Sequence, residues 1–171
     1  MFASITWMAC DDDDDNRRSL NDTDEDFVEN AARANFTEIE FGALAVTKAS
    51  DPLVREFAEE MVAEHTTAQN ELRSLANNYR DIEWADDEDD LDDAHEDMKA
   101  QLESLEGYSF DSLYMMSQVN DHEMAVSLFE SGTDATETDV KNYASKFLPH
   151  IEMHLEKADS INMVITENAG N

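Results

Sequence analysis

Apolar residues recur every three or four positions over most of the chain, which is the spacing of amphipathic helices. The clearest case is the segment 57–79, together with Val54 one turn before it. Its apolar face consists of Val54, Ala58, Met61, His65, Ala68, Leu72, Leu75 and Tyr79. His65 belongs to this face, so the pattern predicts an imidazole directed toward the core.

The periodic segments and their start and stop signals predict five helices, over about residues 23–48, 52–79, 91–107, 109–132 and 136–165. Asp51 and Pro52 form a strong start signal and indicate a tight hairpin between the first two helices. Pro149 lies inside the fifth pattern and is expected to kink that helix. Because no strand-like alternation of any length occurs, the predicted fold class is an all-α bundle.

Length and charge limit the domain organisation and the partners. The 171 residues suit one helical domain over 23–168, preceded by a disordered acidic segment over 1–22. Eleven basic against 42 acidic residues give a formal charge of −31, which argues against nucleic acid and anionic membrane surfaces as partners. Metal cations are the expected partners, and the acidity is typical of proteins that work in concentrated salt.

The N-terminal segment carries the chain's single cysteine, Cys10, so neither an intramolecular disulfide nor a cysteine-based zinc site is expected. Ala9 and Cys10 resemble a bacterial lipoprotein processing site, in which a small residue precedes the cysteine that is lipidated. Trp7 departs from that pattern, since such sites usually carry leucine there. Two interpretations stay open: a disordered N-terminus, or a membrane tether through Cys10 with the aspartate run as a solvated spacer.

The candidate chemistry lies on the inward faces of the predicted helices. Helices one, two, four and five each place one metal-binding side chain there: Glu38, His65, His122 and His154. Imidazole and carboxylate groups suit divalent transition metals, and a bundle core is a known place to hold them. The pattern therefore predicts one histidine-rich site for zinc, copper or iron.

Further ligands are available near these positions. Glu64 and Asp121 directly precede two of the histidines, and His150 lies one turn before His154. His95 falls beside the narrow stripe of helix three and is expected at the surface.

A di-iron carboxylate centre requires Glu-x-x-His on two helices. The residues three before His65, His122 and His154 are instead Val62, Val119 and Ile151, so that pattern is absent.

The same residues admit a metal-free interpretation. In that case the histidines form a buried hydrogen-bonded layer, and the chain is a non-catalytic structural or interaction module whose protein partner is unknown. A metal-dependent oxidoreductase is a third interpretation and would need an open coordination position. No nucleophile elbow, phosphate loop, dinucleotide fingerprint or HExxH motif indicates another enzyme class.

Three segments resemble the domain-of-unknown-function 4142 family of bacterial ferritin-like proteins: ENAARANFTEIEFGALAVTKASDPLVREFAEEMVAEHTTAQNEL, FDSLYMMSQVNDHEMAVSLFE and KFLPHIEMHLEKA. The resemblance implies a ferritin-like four-helix bundle in which two shorter helices share one bundle position. It also implies export to the cell envelope, and it makes Glu38, Glu64-His65, Asp121-His122 and His154 signature positions. The family has no assigned reaction. The convergence of Glu38, His65, His122 and His154 on inward faces makes a metal-binding envelope protein for metal storage, buffering or stress protection the leading hypothesis.

Overall fold

The computed structural model describes residues 17–80, 82–85 and 91–168. These residues form five helices: α1 (Asp22–Lys48), α2 (Pro52–Ala76), α3 (Asp93–Ser104), α4 (Gly107–Gly132) and α5 (Thr138–Asn168). No strand occurs among the described residues, so the predicted all-α class is confirmed. The helix α5 continues without a break through Pro149.

The four long helices pack as two hairpins. The first hairpin pairs α1 with α2 and the second pairs α4 with α5, while α1 also packs against α4 and α2 against α5. The predicted four-helix bundle is therefore confirmed, with one difference in detail. With 26 residues, α4 spans about 39 Å and fills a bundle position alone, whereas the 12-residue α3 is an additional helix packed against α1 and α4.

Buried carboxylates join the turns within the two hairpins to a neighbouring helix. The Asp111 carboxylate of α4 accepts hydrogen bonds from the backbone N–H groups of Ser50 (3.0 Å) and Asp51 (2.9 Å), in the turn between α1 and α2. The Asp24 carboxylate of α1 accepts from the N–H groups of Thr136 (3.1 Å) and Glu137 (2.8 Å), in the turn between α4 and α5. These charge-assisted bonds connect the two hairpins at both ends of the bundle.

Two helix starts differ from the sequence prediction. The N-cap of α1 is Asn21, whose side chain accepts from Thr23 N and Asp24 N, whereas the Asp24 carboxylate is bonded to the α4–α5 turn. The helix α4 begins at Gly107 and not at Ser109. Gly107 has a φ of 61°, a left-handed conformation that glycine adopts readily, and this lets α4 follow α3 almost directly.

The core consists of two apolar clusters, one toward each end of the bundle. One cluster contains Phe27, Leu72, Phe129 and Tyr143. The other contains Phe41, Phe57, Tyr114 and Ile161. Along each long helix the change from one cluster to the other occurs at the predicted metal-binding position, so four buried polar side chains form a layer at mid-bundle: Glu38, His65, His122 and His154.

The residues just before α1 contact the bundle. Leu20 is buried, and the carbonyl of Arg18 accepts a 3.0 Å hydrogen bond from the N–H of Arg80. The remainder of the predicted N-terminal segment, including Cys10, lies outside the described residues. Within the described part, none of the helices has the length and apolar character that crossing a membrane requires.

The close packing at Gly132 makes a testable prediction about stability. A Cβ at this position would overlap the Phe27 ring and lie 2.8 Å from the Cβ of Ala144. We therefore expect Gly132→Ala to lower the free energy of unfolding by about 1–3 kcal/mol, the usual effect of overpacking. Urea denaturation measures it, with Ser131→Ala on the exposed side of the same turn as the control. Equal stability of the two variants would contradict the packing described here.

Candidate metal centre

Three imidazoles from three helices meet in the middle of the bundle. His65 comes from α2, His122 from α4 and His154 from α5, and all three are at most 5% exposed. Their ring centroids are separated by 5.4–5.6 Å. One potential ligand atom from each ring lies within 4.8 Å of the other two. We refer to these three residues as the histidine trio.

Hydrogen bonds to acceptors fix the tautomers of two of the rings. His65 Nδ1 lies 2.9 Å from Asn35 Oδ1, and the amide of Asn35 donates to the Tyr143 hydroxyl, which orients Oδ1 toward the imidazole. His122 Nδ1 lies 2.9 Å from the backbone carbonyl of Gln118. Because a carbonyl oxygen only accepts, each Nδ1 carries the proton and each Nε2 has a free lone pair.

The third ring has the opposite tautomer, and it too has one ring nitrogen with a free lone pair. His154 Nε2 donates to the Glu64 carboxylate at 3.0 Å, so its lone pair is on Nδ1. The three lone-pair nitrogens, His65 Nε2, His122 Nε2 and His154 Nδ1, have no hydrogen-bond partner. Three buried acceptors without a donor are uncommon in native proteins, and a bound cation is one arrangement that satisfies them together.

The trio is neutral at physiological pH. Burial lowers the pKa of His65 and His154, and it lowers the pKa of His122 to about 4. The positive charges that His122 and His154 would carry also disfavour protonation of His65, and that of His154 disfavours protonation of His122. Neutral imidazole is the form that binds a metal, so no proton has to be displaced.

The structure separates Glu38 from the trio nitrogens. Its Oε1 lies 3.7 Å from His122 Nδ1, the ring nitrogen that is bonded to Gln118. Glu38 Oε2 has no hydrogen-bond partner. Burial, followed by the negative charge of Asp121, raises the pKa of Glu38 to about 8. The carboxyl group predicted to share the site therefore lies beside one of its histidines, outside the group of three.

Glu64 and His150 lie on the outer side of His154. Glu64 is partly exposed and accepts from His154, and His150 Nδ1 lies 3.4 Å from the same carboxylate. Glu60, Glu64 and His154 are also close enough to share a cation, but Glu60 is paired with Lys157. Glu64 thus accepts the proton of His154 from the outer side of the bundle. His150 is half exposed.

Asp121 contacts a residue that sequence reasoning placed at the surface. His95 Nε2 lies 3.6 Å from Asp121, His95 Nδ1 lies 2.9 Å from Asp92, and the ring packs on Phe41. The nearby carboxylate of Asp121, together with that of Asp92, raises the pKa of His95 to about 9 against the opposing effect of burial. The structure therefore brings Asp121 and His95 together, but not with the trio.

Asn35 and Gln118 were missed as partners of the histidines. Asn35 lies on the widened apolar face of α1, one turn before Glu38, and Gln118 precedes His122 by one turn of α4. A polar residue on an inward face is the signal for Asn35. The contact of Gln118 is made by its backbone carbonyl, which no side-chain pattern reveals.

The comparisons with known proteins agree with this fold. The chain belongs to the family described as Domain of unknown function (DUF4142), which matches residues 11–161. None of the curated proteins compared with the sequence matches it significantly.

Three solved structures share the bundle. A DUF305 fragment from Deinococcus radiodurans has a TM-score of 0.72 at 11% identity, and the match covers 84% of this chain and 97% of that one. A DUF305 protein from Streptomyces coelicolor, described as secreted, has a TM-score of 0.71 at 12% identity, with 84% and 94% coverage. CopM in its Ag-bound form has a TM-score of 0.64 at 15% identity, with 82% and 95% coverage. At these identities the likeness establishes the fold.

Proposed function

We propose that this protein binds one transition-metal ion through His65, His122 and His154 and stores or buffers that metal in the bacterial cell envelope. The observation that carries the proposal is the set of three buried imidazole nitrogens whose lone pairs have no partner. Each ring is already held by an acceptor on its other nitrogen, an arrangement that orients histidine ligands in metal proteins. The site would therefore need little rearrangement to bind.

The donor set favours zinc or copper, with ferrous iron as a weaker candidate. Three neutral imidazoles suit Zn²⁺ and copper ions, which bind histidine nitrogen at about 2.0–2.1 Å in the case of zinc. The solved structure of CopM holds Ag, which supports metal binding on this bundle. Zn²⁺ has no redox chemistry, so it is the simplest probe of the site.

The other predicted residues have supporting roles in this proposal. Glu64 accepts the proton of His154 and orients that ring. Glu38, Asp121 and His150 lie outside the trio, and we do not assign them as its permanent ligands. A location in the envelope is supported by the secreted Streptomyces neighbour, and a tether through Cys10 belongs to the same proposal.

Metal content tests the function. Untagged protein is purified in high salt, stripped with chelator, incubated with Zn²⁺, desalted and analysed for bound metal. Wild type is expected to retain one equivalent, His65→Ala and His154→Ala are expected to retain little, and His150→Ala serves as the matched control with wild-type content. Retention of one equivalent by both trio variants would remove these residues as ligands. Absence of metal from folded wild type would favour the metal-free polar layer.

The Asn35 hydrogen bond makes a second prediction about the site. Asn35→Leu removes the acceptor that holds the proton on His65 Nδ1, so we expect Zn²⁺ affinity to fall roughly 10–100-fold. Competition with a fluorescent chelator measures the affinity. Tyr143→Phe removes only the hydroxyl that accepts from the Asn35 amide, and it is expected to have a smaller effect. If Asn35→Leu binds as tightly as wild type, Asn35 does not orient the ligand.

A further inference from the structure

A cavity on one side of the bundle reaches two members of the histidine trio. Its volume is about 310 Å³, and it lies beside α1, α3 and α4. The inner wall includes His65 and His122, while exposed Asp92 and Met124 line its outer part. His65 and His122 are therefore the members of the trio that face this side of the protein.

Carboxylates with free oxygens lie along the cavity. Glu38 is 96% buried, since only 4% of its surface is exposed, and its Oε2 has no hydrogen-bond partner. Asp121 Oδ2 is likewise buried and unpartnered. Both residues line the cavity, Glu38 beside His122 and Asp121 beside His95. Unpartnered carboxyl oxygens of this kind are the ligands that hard divalent cations take in proteins.

The outer part of the cavity already contains one cationic partner. His95 of α3 lies between Asp92 and Asp121, at 2.9 Å and 3.6 Å from their carboxylates. The His95 ring, whose pKa is raised to about 9, is thus a cationic partner for Asp121 in this cavity. Asp121 Oδ2 has no such partner and remains available to an arriving cation.

We propose that Glu38 and Asp121 form a transit site for a divalent cation, which enters through this cavity and passes to the histidine trio. The inference rests on the proposed metal binding and adds the path by which the metal arrives. Transit fits better than retention, because the described groups of three ligands within 4.8 Å of one another include neither Glu38 nor Asp121. Two carboxylates without a third close ligand bind a cation weakly and release it.

The opposite side of the bundle offers a poorer path. The cavity beside Glu64, His150 and His154 has a volume of only about 20 Å³, little more than one water needs. In addition, the Glu64 carboxylate on that side already accepts a hydrogen bond from His154. His150 is consequently the natural variant with which to test that route.

The rate of metal uptake distinguishes the two paths. Stopped-flow mixing of metal-free protein with Zn²⁺ and a fluorescent chelator measures the rate, and equilibrium competition with the same chelator measures affinity. For Asp121→Asn, which removes a negative charge from the cavity, we expect uptake at least about 10-fold slower, since charge in a cleft raises association rates 10-fold or more. Glu38→Gln replaces one carboxyl oxygen on the path with an amide nitrogen, and its uptake is expected to be slowed in the same direction. Affinity is expected to stay within about 3-fold, because the trio is intact. Asp97→Asn, an exposed acid of α3, is the charge-matched control for Asp121→Asn, and it is expected to retain the wild-type rate, as is His150→Gln.

Several outcomes would overturn the proposal. Uptake by Glu38→Gln and Asp121→Asn at the rate of Asp97→Asn would exclude the acidic cavity as the route, and slow uptake by His150→Gln would assign it to the opposite side. Affinity that falls in parallel with rate would make the two carboxylates ligands of the bound metal. If Glu38→Gln fails to fold, Asp121→Asn, which is partly exposed, decides the question. Wild type that binds no Zn²⁺ at equilibrium would refute the proposed function itself, whereas normal affinity with unchanged variant rates refutes only the path.

Discussion

Adding Zn²⁺ to 100 times its dissociation constant is expected to raise the free energy of unfolding of the wild-type protein by about 2.7 kcal/mol. The reason is linkage: the trio exists only in the folded chain, because its three rings come from α2, α4 and α5. Denaturation with and without Zn²⁺, in a non-chelating denaturant such as urea, measures the shift.

The matched variant for this prediction is His122→Gln. It removes one imidazole of the trio from a position that is 1% exposed, and its stability is expected to be nearly independent of Zn²⁺. His150→Gln, which changes a half-exposed histidine on α5, is expected to retain the full stabilisation. A Zn²⁺-dependent increase of the same size in His122→Gln would show that the metal binds elsewhere, for example at the acidic surface.

Acidification of the metal-free protein from pH 7 to pH 4.5 is expected to lower its free energy of unfolding by roughly 2 kcal/mol through His122 alone. Burial lowers the pKa of His122 from 6.5 to about 4. Between those values the unfolded chain binds more protons, so the stabilisation is complete above 6.5 and is lost as the pH falls toward 4. His65 and His154 act in the same direction, since burial lowers their pKa values too.

The variant His122→Phe isolates this effect because it keeps a ring in the core and cannot titrate. The stability difference between pH 7 and pH 4.5, measured by urea denaturation at constant salt, is expected to be smaller in this variant by roughly 2 kcal/mol. Glu38 acts oppositely: its raised pKa of about 8 gives a contribution that is complete below 4.5 and lost as the pH rises through 8. Equal pH dependence of wild type and His122→Phe would contradict the burial of a neutral His122.

The helices and the position of the site along them were predictable from the sequence, because both follow from the 3.6-residue period. Placing His65 on an apolar face fixed its direction relative to α2, and the same holds for His154 on α5. The N-cap and proline at Asp51–Pro52 fixed the start of α2. These properties depend only on residues close together in the chain, so they can be read from the sequence.

The parts that could not be predicted depend on how the helices pack. Glu38 and His122 both lie inward, yet only the rotation of α1 against α4 decides that Glu38 faces Nδ1 of His122 and not the trio. His95 lies on α3, and the narrow apolar face of this helix did not indicate that α3 would pack against α1 and α4. Asp24 lies near the start of α1, where an aspartate commonly caps its own helix. Its carboxylate instead accepts hydrogen bonds from the backbone of the α4–α5 turn.

The central claim is that three histidine nitrogens bind one metal, and X-ray absorption at the zinc edge of the Zn²⁺-loaded protein tests it most directly. We predict a first shell of nitrogen or oxygen at about 2.0–2.1 Å with the outer-shell scattering of three imidazoles, reduced in His65→Ala. A shell of oxygen atoms without imidazole scattering, unchanged in His65→Ala, would contradict the account and assign the bound zinc to surface carboxylates.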